Sequence, residues 1–197
     1  MHLREMSLHE IELWYKNELM NTFVEQERKP QSVILDLINK GEYKVLGAYD
    51  FDDLHIEQLT GYATFAIKSD VPMLLLDYLG VTIKKRNTGI GSQILKSVCS
   101  FFHESAIVLE SELEVDGLSA AENELRRRRI NFYLRNGFRA VYEMATCGLR
   151  WQALFFSAEE MPMEEIIGYH RTLYGTDRID VVIPLCKGEV PPPSMWK

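Results

Sequence analysis

Residues 79–95 read LGVTIKKRNTGIGSQIL. An apolar run, MLLLDYLGVTI from Met73, leads into this stretch. Three cations follow, then Gly89 and Gly91 flank Ile90 before apolar residues resume. The run predicts a central strand through Ile83, buried on both faces. Ile90, Ile94, Leu95, Val98, Phe101 and Phe102 form a stripe that predicts a helix over 89–103. The first N–H groups of such a helix lack intrahelical acceptors and carry the positive end of its dipole. With Lys84, Lys85 and Arg86 beside them, a strand–turn–helix of this kind is an anion-binding loop.

Moving outward, the chain alternates element types. A short strand at 2–6 precedes a helix over 7–24, where Ser7 and Glu10 have capping-box spacing. QSVILDLINKG (31–41) is a second short helix stopped by Gly41. Two strands follow at 42–49 and 59–67, separated by the acidic turn DFDDLHIEQ. After the loop helix come a strand at 106–115, a helix at 119–136 stopped by Gly137, and a strand pair turning near Gly148. On the second helix, Glu122–Arg126 and Glu124–Arg128 are i,i+4 pairs in the favourable order. A last helix, PMEEIIGYHRTLY, precedes an extended DVVIPL and a loose tail, EVPPPSMWK. The order predicts an α/β, α+β layered fold: a mixed, mostly antiparallel central sheet flanked by helices, with a C-terminal helical extension. The expected division is a domain over 1–157 and an extension over 158–197, packed on it or trailing from it.

Composition narrows the function. The 197 residues suit one domain, and the net charge of −7 disfavours nucleic acid and anionic membranes as partners. No apolar run spans a bilayer, and the N-terminus has charges where a leader needs apolar residues. Three scattered cysteines suit a reducing cytoplasm. Five scattered histidines, without HExxH or CxxC spacing, predict no metal.

The anion on the loop remains to be chosen. A Walker A loop needs four residues between its glycines and a following Lys-Ser/Thr, and both are absent. A dinucleotide fingerprint needs a third glycine where Ile94 stands, although Glu110 lies near the place of a ribose-binding acid. LGVTIKKRNTGIGSQIL resembles the acyl-CoA-binding segment of the GNAT superfamily of N-acetyltransferases. Arg86-Asn87-Thr88-Gly89-Ile90-Gly91 fills the family pattern of Arg or Gln, two residues, Gly, one residue, Gly or Ala. Downstream, NFYLRNGF resembles the family's second signature, filled by Tyr133, Gly137 and Phe138. The resemblance covers about 1–157 in element order and is specific over 79–95 and 107–138. Ile83 stands where many members have Pro, Asn87 where Gly is frequent, and Arg126 where Asn is frequent.

The resemblance implies direct transfer of an acetyl group from acetyl-CoA to the primary amine of a small molecule or peptide. A homodimer is compatible with the C-terminal extension. The pyrophosphate would lie on backbone N–H groups of Arg86, Asn87, Thr88, Gly89, Ile90, Gly91 and Ser92. The pantetheine arm would pair with Leu79, Val81 and Ile83. Tyr133 would protonate the departing thiolate. For the base, alternation in LESELEV puts Glu110, Glu112 and Glu114 on one face, about 6 to 7 Å apart. Glu110 is preferred and Glu112 second; a solvated strand face is the competing reading. Glu25 and Glu27 are acceptor-site candidates, and the 126–129 arginines read as a solvated helix face. Two alternatives stay open: an acyl-CoA-binding module without catalysis, and a nicotinamide dinucleotide-binding protein.

Overall fold

A computed structural model describes residues 1–195. Its seven strands are ordered β1-β2-β3-β4-β5-β7-β6: β1 (His2–Glu5), β2 (Tyr43–Phe51), β3 (Glu57–Ala66), β4 (Met73–Val81), β5 (Ala106–Glu112), β6 (Arg139–Thr146) and β7 (Leu149–Phe156). The β1–β2, β2–β3, β5–β7 and β6–β7 pairings are antiparallel. This is the mixed, mostly antiparallel α/β fold predicted above. The chain divides into two compact units, 1–69 with 76–103 and 70–75 with 104–197.

In the first unit, α1 (Leu8–Trp14) starts at the Ser7–Glu10 capping box. It then loosens into a π turn over Tyr15–Leu19 and ends in the short α2 (Met20–Thr22). Spacing explains the loosening. The buried positions are Ile11, Trp14 and Leu19, whereas an unbroken α-helix would bring Glu18 to that face. The π turn rotates Leu19 inward, where it joins Ile34 of α3 (Gln31–Asn39), Tyr43, Val45, Tyr62 and Tyr78.

Helix α4 (Ile90–Phe101) packs on β3 and β1. Ile94, Leu95 and Val98 are buried as predicted, but Phe101 lies exposed beyond the edge of the stripe. Gly61 lets the helix come close, and Gly80 makes room for the Tyr62 ring of β3. A Cβ on Gly61 would lie 2.4 Å from Ile94 Cδ1, and one on Gly80 would lie 2.1 Å from Tyr62 Cζ.

In the second unit, α5 (Ala120–Arg135) packs on β5 and β6. It starts at a capping box made by Ser119 and Glu122. Of the predicted pairs, Glu122–Arg126 acts through charge without an ion-pair contact, and Glu124 takes another partner than Arg128. Glu122 is committed to the cap, and Glu124 pairs with Arg127 at 2.6 Å. Helix α6 (Met163–Tyr174) buries Ile166, His170 and Leu173 and stops at Gly175. Beyond it the chain lies along β6: Ala145 and Val182 exchange backbone bonds of 3.0 and 2.9 Å, and Leu185 N–H donates to Glu143 O. DVVIPL is therefore held against an edge that would otherwise present unpaired backbone groups. The tail from Val190 has no regular structure, and its last two residues lie outside the described ones.

Candidate functional site

The anion loop lies wholly in the first unit. β4 ends at Val81, two residues before the predicted end, because Thr82 N–H makes the last bond to Thr60 O and the chain then turns. Ile83 is a correction to the strand prediction: it opens a 3-10 turn over Ile83–Lys85 and is 67% exposed. Leu79 and Val81 remain on the strand, half-buried. Arg86 folds back, its Nε donating to Val81 O at 3.2 Å and its Nη2 to Thr22 Oγ1 at 3.4 Å. Thr88 Oγ1 donates to Lys85 O at 2.6 Å.

Two residues reverse the chain before α4: Asn87 at φ 62° and Gly89 at φ 85°, both left-handed. Asn tolerates that region better than most residues, which accounts for its standing where Gly is frequent. Gly89 is the N-cap of α4, with no side-chain cap. The first intrahelical bonds are made by Ser92 and Gln93 to Gly89 O, so the N–H groups of Ile90 and Gly91 precede them. The loop from Ile83 to Gly89 is exposed. Positive φ values, three cations and leading helical N–H groups lie together on this loop, the elements from which anion-binding turns are built.

Sequence reading missed the charged groups of the π turn and of β4. Glu18 sits on the π turn, where burial pushes its carboxyl up and Arg86 opposes that shift. Asp77 of β4 accepts from Lys29 Nζ at 2.7 Å on both oxygens and from Tyr43 O–H at 2.5 Å. Tyr78 O–H donates to Glu27 O and accepts from Lys29 N–H, both at 2.8 Å. The EQERKP segment carrying Glu25 and Glu27 is thus pinned to β4 by its backbone and by Lys29.

The second unit holds the predicted catalytic groups. Tyr133 lies on the last turn of α5, edge-on to Phe132 and Phe138. Burial pushes its phenol up to about 12, against the pull of Arg129. β5 ends at Glu112, so Glu114 leaves the alternating face and pairs with Arg127 in solvent. Neither remaining carboxylate is solvated. Glu112 is held between Arg126 at 2.6 Å and Arg129 at 2.7 Å. Two of the four consecutive arginines therefore pair with β5, and the more buried one, Arg126, also donates from Nη1 to Leu113 O at 2.7 Å.

Glu110 has different company. Tyr174 O–H lies 2.7 Å from both its oxygens, and His170 Nε2 lies 3.0 Å from Oε1. His170 Nδ1 meets Tyr142 O–H at 2.9 Å. Both α6 residues come from the C-terminal extension. The only sequence signal for them was the one-turn spacing of His170 and Tyr174 on an amphipathic helix. Among the described residues no group of three or more His, Cys, Asp or Glu could hold a metal ion, and no helix is long and apolar enough to cross a membrane.

No family model matches the sequence, and no curated protein matches it. Solved structures do match. A protein of Bacteroides thetaiotaomicron described as an acetyltransferase from the GNAT family superposes with a TM-score of 0.69 at 20% identity, covering 90% of this chain and 98% of that one. An aminoglycoside 6'-N-acetyltransferase complexed with coenzyme A gives 0.56 at 13%, covering 82% and 99%. A spermidine N-acetyltransferase variant from Vibrio cholerae gives 0.55 at 11%, covering 80% and 95%. At these identities the likeness establishes the fold, which is that of the GNAT acetyltransferases.

Proposed function

We propose that the chain is a cytoplasmic N-acetyltransferase that moves an acetyl group from acetyl-CoA to a primary amine. Residues 1–157 supply the catalytic domain and 158–197 an extension. The observation carrying this reading is the β4–loop–α4 cradle, with left-handed Asn87 and Gly89 opening the helix in a chain of GNAT fold.

In this reading, backbone N–H groups from Asn87 to Gly91 and the adjacent cations hold the pyrophosphate, whereas those of Arg86 and Ser92 are already bonded to Ile83 O and Gly89 O. Leu79 and Val81 line the pantetheine arm, and a β4 N–H binds the thioester oxygen as its charge grows. The amine nitrogen forms a bond to the thioester carbon and the carbon–sulfur bond breaks. Tyr133, held protonated by burial, gives its proton to the departing thiolate. Glu110 belongs to the base that takes the amine's proton. It is preferred over Glu112, whose charge two guanidinium groups already satisfy.

The neighbours named for aminoglycoside and spermidine acetylation favour a small cationic amine, and the net charge of −7 favours the same class. The test is release of free CoA thiol from acetyl-CoA across a panel of polyamines, aminoglycosides, amino acids and peptides. Turnover with at least one amine is the expected result. Firm acetyl-CoA binding without turnover would support the non-catalytic module, and thermal stabilisation by NAD but not CoA would support the dinucleotide reading.

A further inference from the structure

Glu110, Ala153 and Tyr142 are direct neighbours across β5, β7 and β6. Residues opposed in register share a face, so Glu110 and Tyr142 flank Ala153 at two strand spacings, about 10 Å. Ala153 offers only a methyl group, which leaves room for a ring between them. His170, fully buried, fills that space and bonds to both flanking side chains. Tyr174, one helical turn on and beside the His170 ring, donates its O–H to Glu110.

Proton positions follow from donor chemistry. A carboxylate only accepts, so the imidazole Nε2 carries hydrogen and donates to Glu110. In the neutral ring Nδ1 then accepts from Tyr142 O–H. Glu110 is 12% exposed, and among the described residues no lysine or arginine is bonded to it, in contrast to Glu112. Of the nearby cations, Arg171 acts through its charge on the Tyr142 phenol. Arg171 Nε donates to Ile183 O, and Arg178 lies over the Tyr174 ring but pairs with Asp180 at 2.8 Å. With Nε2–H directed at Glu110, Nδ1 is the ring nitrogen that carries no hydrogen, and the cluster has a place there for one more proton.

We propose that Tyr142, His170 and Glu110 form a proton relay that serves acetyl transfer, with Tyr142 as its port and His170 as the group that holds the proton. The proposal rests on the acetyltransferase reading. As the amine's proton arrives at the Tyr142 oxygen, directly or through water, the phenolic proton passes to His170 Nδ1. No net change occurs at Tyr142, and Glu110 balances the new imidazolium through Nε2–H. Burial holds the Tyr142 phenol well above its ordinary range, so it conducts a proton without becoming a phenolate. Glu110 acts through His170 and is a positioning residue, as is Tyr174.

The test uses the full chain with an amine from the turnover panel. Tyr142→Phe keeps the ring and deletes only the port. His170→Gln keeps an N–H donor for Glu110 but cannot hold a proton. Each is expected to lower kcat at least ten-fold while leaving KM for acetyl-CoA within two-fold. A kcat within two-fold of wild type in either well-folded variant overturns the relay.

Nitrogen-15 NMR of the His170 ring gives a second readout that needs no turnover. The expected signature is a neutral ring protonated at Nε2 whose signals move in Tyr142→Phe and in Glu110→Gln. A ring protonated at Nδ1, or one indifferent to both substitutions, overturns the arrangement. If the wild type acetylates no amine, the acetyltransferase reading fails and the relay's role in catalysis fails with it. The NMR signature then decides whether the hydrogen-bonded array itself exists.

Discussion

Replacing Gly89 separates the backbone requirement of the loop from its charge requirement. Gly89 has φ 85°, and a Cβ placed there meets nothing within 4 Å. Gly89→Ala therefore pays only for left-handed backbone, about 1–2 kcal/mol. For a chain of this size that lowers the melting temperature by about 2–8 °C. Gly89→Glu carries the same strain and adds a negative charge at the start of α4. A charge about 4 Å from a bound phosphate costs about 1 kcal/mol in bulk water and about 4 kcal/mol at a protein surface. Relative to Gly89→Ala, acetyl-CoA affinity should fall by about five-fold at the least and by several hundred-fold at the most. Titration calorimetry with acetyl-CoA at low and high salt measures this, and the gap between the two variants should narrow with salt. Equal affinities for the two variants would refute the placement of the pyrophosphate on this loop.

Three further outcomes are expected. Tyr133→Phe should lower kcat while leaving acetyl-CoA affinity unchanged; because burial lifts the phenol to about 12, the wild-type rate should show no loss between pH 8 and 10 from this group. Arg126→Ala leaves the buried Glu112 with a single partner and should cost about 3 kcal/mol in urea unfolding. Arg127→Ala, in an exposed pair, should cost far less, and similar losses for the two would contradict the burial argument. The Arg4 guanidinium, 2.7 Å away, and the Ser7 cap hold Glu10 far below the usual carboxylate range. Its folded pKa is depressed, so the unfolded chain binds the proton more readily and stability falls as pH drops below about 4.3. Glu10→Gln should flatten that fall, and chemical unfolding at pH 5, 4 and 3 reads it.

The fold was legible where one local rule acted unopposed. The 79–95 stretch combined a two-faced apolar strand, glycines and a helical stripe, and the structure has each in place. Rules that competed for one residue were harder to read. Glu122 satisfied both an i,i+4 pair and a capping box, and the cap prevailed because it answers helix N–H groups that have no other partner. Ile83 fitted the apolar alternation of β4, yet pairing ends at Thr82, which no side-chain pattern records. The π turn left a trace in the five-residue step from Trp14 to Leu19, readable only once both were known to be buried.

The candidate base shows a different limit. Glu110 and Glu112 lie two residues apart on one strand face, with the same side chain and nearly the same exposure. Their local sequence cannot tell them apart. What distinguishes them arrives from far along the chain: Glu112 receives Arg129, 17 residues away, while Glu110 receives His170 and Tyr174, 60 and 64 residues away. The first partner keeps its charge at any working pH and gives Glu112 a permanent cation to pair with. The second pair brings neutral donors and one group able to change its charge, which leaves proton occupancy open. Chemical identity at this site is therefore set by the docking of α6, a segment beyond both motifs that resemble the acetyltransferase family. A homologous chain that kept 79–95 and 119–138 but lost α6 would keep the donor loop and Tyr133 without the group that makes Glu110 differ from Glu112.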